Sequence, residues 1–90
     1  MQEHFDSHLV LQAAEIVREK GEGNNGALRW RGVDLELAPD GYSFALQWRS
    51  CRLYVYFHNR FKFEGGGRDD FVALMDTLRA LVAEQERSRA

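Results

Sequence analysis

The pattern Leu-x-Trp-Arg-(Gly/Ser)-x-x-Leu-x-(Leu/Val) occurs twice in this chain, from Leu28 to Leu37 and again, eighteen residues later, from Leu46 to Val55. It constrains the fold through parity. Leu28 and Trp30 alternate onto one face, and the apolar set resumes at Val33, Leu35 and Leu37. A strand alternates its side chains with period two, so a jump of three requires a two-residue hairpin loop, here Arg31-Gly32. The second copy behaves alike. Tyr42, Phe44, Leu46 and Trp48 point inward, Arg49-Ser50 is the loop, and Cys51, Leu53, Val55 and Phe57 resume the inward set. Ala38-Pro39-Asp40-Gly41 joins the hairpins with a strong turn signal.

Beyond Phe57 the inward parity continues through Phe61 and Phe63. A three-residue loop, His58-Asn59-Arg60, accommodates that parity. The alternative is one bent strand from Arg52 to Glu64, which would span about 43 Å against about 20 Å for its neighbours. The length favours a hairpin or a sharp bend.

Helical periodicity brackets the strands. Residues 5–20 place Phe5, Leu9, Ala13, Ile16 and Val17 on one apolar face. Asp6 or Ser7 is the expected cap and Gly21 the expected stop, followed by a flexible loop to Gly26. Residues 69–87 carry the stripe Phe71, Leu74, Met75, Leu78, Leu81 and Val82, with Asp69 or Asp70 placed to cap the start. The polar tail from Glu84 is expected to fray. The fold expected is α+β, in the order α-β-β-β-β-(β)-α. A single domain over residues 1–90 holds a four- to five-stranded antiparallel meander over 27–64, with both helices covering one sheet face.

The β-β-β-β-α portion, ending in a helix led by Asp69-Asp70-Phe71, is similar in element order to the single-strand-binding transcriptional coactivators. The N-terminal helix departs from that order, and a shared arrangement does not by itself carry function.

Charge is unevenly spread. The net charge is −2. Residues 27–64 hold six basic and four acidic groups, whereas the segments on either side are net acidic. Cys51 is the sole cysteine, which excludes an intrachain disulfide. The polar start Met1-Gln2-Glu3-His4 lacks a signal-peptide core, and no apolar run approaches a membrane span. The expected location is cytoplasmic, with no membrane association.

Several chemistry-bearing patterns fall short of a site. His4 and His8 have metal-pair spacing on a helix, but no third ligand is signposted. Cys51 and His58 lie seven residues apart on opposite faces of a strand, which is wrong for a nucleophile and its base. Gly65-Gly66-Gly67-Arg68 precedes a helix, but Asp69 and Asp70 would repel a phosphate there. Asp34, Glu36, Asp40 and Glu64 occupy outward strand positions or turns, with no apolar setting to raise a carboxyl pKa. The chain therefore reads as a non-enzyme without a cofactor or metal.

The strongest remaining signal is a basic, Tyr-bearing surface of Arg29, Arg31, Arg49, Arg52, Tyr54, Tyr56, Arg60 and Lys62. Tyr and Arg are enriched at protein interfaces. The leading expectation is a protein-interaction domain of adaptor or inhibitor type, whose partner is another protein or a second copy of the chain. The alternative is single-stranded nucleic-acid or anion binding, in which Tyr stacks bases and Arg and Lys hold phosphates. A small-ligand or enzymatic domain is the third reading.

Overall fold

The computed structural model describes residues 6–24, 26–56 and 60–89. The expected core roles of Phe5 and Phe57, the pairing of His4 with His8, and the positions of His58 and Asn59 lie outside the described residues.

The chain runs through α1 (Ser7–Lys20), β1 (Glu22–Asn24), β2 (Ala27–Trp30), β3 (Val33–Leu37), β4 (Phe44–Trp48), β5 (Cys51–Tyr56), β6 (Arg60–Glu64) and α2 (Arg68–Arg89). The strands form one antiparallel meander in sequence order. This is the expected α+β architecture with one strand more. The addition is β1, which lies in the segment expected to be a flexible loop. Glu22-Gly23-Asn24 has neither apolar alternation nor β-branched residues to announce it. It is held by pairing Glu22 with Arg29 and Gly23 with Leu28 across a tight turn.

Both two-residue hairpins have the register that parity requires. Trp30 pairs with Val33, and Trp48 with Cys51. Arg31 and Gly32 have φ of 53° and 80°, so both central residues take the left-handed conformation of a type I′ turn. In the second turn only Arg49 has positive φ, at 57°, the pattern of type II′. β5 and β6 form a third hairpin, with Val55 paired to Phe61 and Tyr56 to Arg60. This rules out a single bent strand, and it also corrects the expected loop, because Arg60 is the first residue of β6 rather than a loop residue.

The helices start where their capping chemistry lies. The Asp6 carboxylate accepts the Leu9 N–H at 3.1 Å. At α2, the Asp70 carboxylate reaches back to accept the Gly67 N–H at 2.9 Å, one half of a capping box. α2 continues to Arg89, so the tail from Glu84 is helical. Between β6 and α2, Gly65 has φ of 89°, and a Cβ there would lie 2.0 Å from the Ser50 carbonyl oxygen. Only glycine lets the chain pass so close to the second hairpin turn. This segment is a tight backbone crossing.

One core joins the layers. Leu9, Val10, Ala13, Ala14, Ile16 and Val17 of α1 meet Val33, Leu35, Leu46, Leu53 and Val55 of the sheet and the apolar stripe of α2. Val10 and Ala14 widen the expected α1 stripe. α1 packs over β2 and β3, α2 packs over β5, and the helices pack against each other. Three residues expected to face inward remain open to solvent. Tyr42 lies outside the strands and is 67% exposed, Leu37 is 60% exposed, and Phe61 at the sheet edge is 40% exposed.

Candidate interaction surfaces

The outer sheet face is built in cross-strand rows. One row runs Glu22, Arg29, Asp34, Gln47, Arg52, Glu64, and a second runs Glu36, Ala45, Tyr54, Lys62. Neighbours in a row project on the same side within contact reach. Arg29, Arg52, Arg60 and Lys62 therefore share the face with Glu22, Asp34, Glu36 and Glu64, four cations against four carboxylates.

These charges are largely paired. Arg29 donates to both Asp34 oxygens, at 2.6 and 3.1 Å. Asp34 raises the Arg29 pKa above its usual value through that hydrogen bond and its charge. Arg52 donates to Gln47 at 2.6 Å and forms an ion pair with Glu36. Lys62 binds Glu64 at 2.9 Å, which holds the ammonium pKa up and the carboxyl pKa down. The Arg52 guanidinium and the Lys62 ammonium lie 5.2 and 6.0 Å from the Tyr54 ring centroid. Tyr54 and Tyr56 are near-parallel, with centroids 6.3 Å apart. The face is a neutral ladder around two Tyr rings.

The eight residues expected to form one surface divide into two groups. Arg29, Arg52, Tyr54, Tyr56, Arg60 and Lys62 share the outer face. Arg31 and Arg49 turn the other way. Arg31 lies 5.3 Å over the Trp30 ring and forms an ion pair with Glu84 of α2 at 2.9 Å. Arg49 lies 4.3 Å over Trp48. Both Trp residues belong to the face that the helices cover, so the repeat's Arg residues reinforce its turns from the core side. Turn position alone does not decide which way a long side chain folds.

A different feature is an apolar groove beside α1. A groove of about 660 Å³ runs between one flank of α1 (Leu11, Ala14, Glu15, Arg18), β3 and the loop joining β3 to β4. Leu37, Tyr42 and Phe44 form its other wall. Leu11, at 47% exposed, completes a set with Leu37 and Tyr42 of three exposed large hydrophobic residues. At the rim, Glu15 and Arg18 pair with each other at 2.6 Å. The loop is bridged by its own hydrogen bonds. The Asp40 carboxylate accepts both the Tyr42 and Ser43 N–H groups at 2.8 Å and the Ser43 hydroxyl at 2.9 Å. Ser43 and then Tyr42 hold the Asp40 pKa below its usual value.

Sequence parity assigned Leu37 and Tyr42 to the core, and so missed this groove. The available signal was positional. Both flank the turn Ala38–Gly41, at the end of the hairpin where helix coverage stops.

Among the described residues no polar or charged side chain is buried, and no three His, Cys, Asp or Glu residues converge as metal ligands. No helix in the described residues is long and apolar enough to cross a membrane.

These features define a two-layer α+β domain with exposed apolar and aromatic surfaces. Residues 5–88 match the model of a family of proteins of unknown function, DUF3081, and the chain belongs to that family. No curated protein and no solved structure matches the chain.

Proposed function

We propose that this protein is a small, non-catalytic, cytoplasmic interaction domain, and that it docks an apolar segment of a partner protein in the groove beside α1. The observation that carries the reading is the convergence of Leu11, Leu37 and Tyr42 on one groove, each more than two-fifths exposed. Large apolar side chains scattered singly over a surface need no explanation, but a contiguous set lining a concavity marks a binding site.

The volume of the groove also suits a small molecule, and polar chemistry favours a protein instead. A small-ligand site orients its occupant with a few convergent polar groups. Here the polar groups are engaged elsewhere, since Asp40 binds its own loop and Glu15 binds Arg18. An apolar peptide face needs no such anchors. The charge ladder on the outer sheet disfavours the nucleic-acid alternative, because phosphate binding there would have to compete with Asp34, Glu36 and Glu64 for the same cations.

Affinity capture with the wild-type chain and with a Leu37→Asp, Tyr42→Asp variant of equal folded content tests this reading. A partner held by the wild type and lost by the variant is the expected result. Capture indifferent to both substitutions would sink the groove. Low-salt oligonucleotide binding that shifts the Tyr54 and Tyr56 amides would favour the nucleic-acid alternative.

A further inference from the structure

We propose that the chain also pairs with a second copy of itself, β6 against β6, antiparallel about a two-fold axis at Lys62. This surface is separate from the groove, so either reading can fail alone. β6 is the last strand in the sheet order, and its outer edge has no strand partner among the described residues. Such an edge is a template for another strand. Its sequence selects the occupant.

Arg60-Phe61-Lys62-Phe63-Glu64 complements its own reverse. Centred on Lys62, Arg60 faces the partner's Glu64 and Glu64 faces the partner's Arg60, so symmetry makes each contact twice. Phe61 faces the partner's Phe63 on the helix-covered side, as an aromatic cross-strand pair.

Three features of the single chain fit this register. Among the described residues Arg29, Arg52 and Lys62 each have a carboxylate partner on the outer face, whereas Arg60 has none. The outer row that ends Arg52, Glu64 would continue its alternation of charge with the partner's Arg60. On the inner side Phe61 is 40% exposed at the open edge. There a hollow of about 300 Å³ lies between Phe61, Phe63, Gly67 and Phe71 and could receive aromatic surface. The one opposing contact is Lys62 against the partner's Lys62. Each ammonium is held by its own Glu64 and is well exposed, which tempers the repulsion.

Sedimentation velocity over rising concentration reads the proposal directly. A five-residue edge is a small interface, so dimer of twice the 10.4 kDa chain mass is expected to appear between about 10 µM and 1 mM. Arg60→Glu and Glu64→Arg, taken singly, each weaken dimerisation by roughly tenfold or more. Mixed in equal amounts, the two variants form a heterodimer, because each supplies the charge the other lacks. Lys62→Thr, which removes the like-charge contact, tightens the dimer. If Glu64→Arg unfolds through loss of its Lys62 contact, the opposite effects of Arg60→Glu and Lys62→Thr decide the matter. A chain that stays at 10.4 kDa throughout overturns the proposal. So does a dimer indifferent to these substitutions, or a mixture of the two folded variants that fails to associate.

Discussion

Arg31 and Arg49 occupy backbone conformations that an L-residue other than glycine rarely takes. The left-handed region costs such a residue roughly 1–2 kcal/mol. Each Arg has a compensating contact with the Trp that precedes it, worth about 0.5–1 kcal/mol at an exposed site. The Trp-Arg pairs of the repeat thus couple turn strain to stacking on the covered face. This predicts an order of stability at the second turn. Arg49→Ala keeps the strain and loses the stacking, so it should fall below wild type by about 0.5–1 kcal/mol. Arg49→Gly also loses the stacking but removes the strain, and should exceed Arg49→Ala by about 1 kcal/mol. Urea midpoints of the three chains measure this. An alanine variant equal to or above the glycine variant would show that positive φ is not the controlling term.

At the scale of elements, what the sequence revealed depended on how much regular pattern each segment carried. The hairpins β2–β3 and β4–β5 were legible because Trp30 to Val33 and Trp48 to Cys51 break a period-two alternation by one step. The third hairpin followed from the same parity at Phe61 and Phe63. β1 was not legible, since three residues including a glycine have no periodicity and owe their conformation to a neighbour. The candidate site was only half legible. Six of the eight surface residues do share the outer face, but their pairing with Asp34, Glu36 and Glu64 depends on register across strands distant in sequence.

The β3–β4 loop shows how local chemistry sets an element. Asp40 accepts from two N–H groups and one hydroxyl more strongly as a carboxylate than as a neutral acid, and its pKa is lowered in consequence. Its contribution to loop order is therefore complete above the ordinary value of 3.8 and is lost as pH falls through the lower folded value. In an acid titration, the Tyr42 and Ser43 amides should keep their protected shifts through the ordinary carboxyl value of 3.8 and lose them only on further acidification. Asp40→Asn should remove that transition. If both amides are unchanged to pH 2, the carboxylate does not order the loop.

At the scale of the whole molecule, two helices must cover a six-stranded sheet, and they do not reach all of it. α1 packs over β2 and β3, α2 packs over β5, and both lean on each other. The end of the first hairpin at Leu37 and Tyr42 falls outside that cover, which separates residues that hold the fold from residues that face outward. Leu35 is 1% exposed, whereas Leu37, two residues along the same strand face, is 60% exposed. Truncation should therefore cost much at one position and little at the other. Leu35→Ala leaves a cavity in a close-packed core and should cost about 2–5 kcal/mol. Leu37→Ser with Tyr42→Ser removes little buried surface and should stay within about 1 kcal/mol of wild type. Thermal or chemical denaturation measures both. If the double substitution at the groove destabilises as much as Leu35→Ala, then Leu37 and Tyr42 belong to the core and the groove loses its claim as a docking surface. A stable double variant with impaired partner capture would assign these residues to recognition.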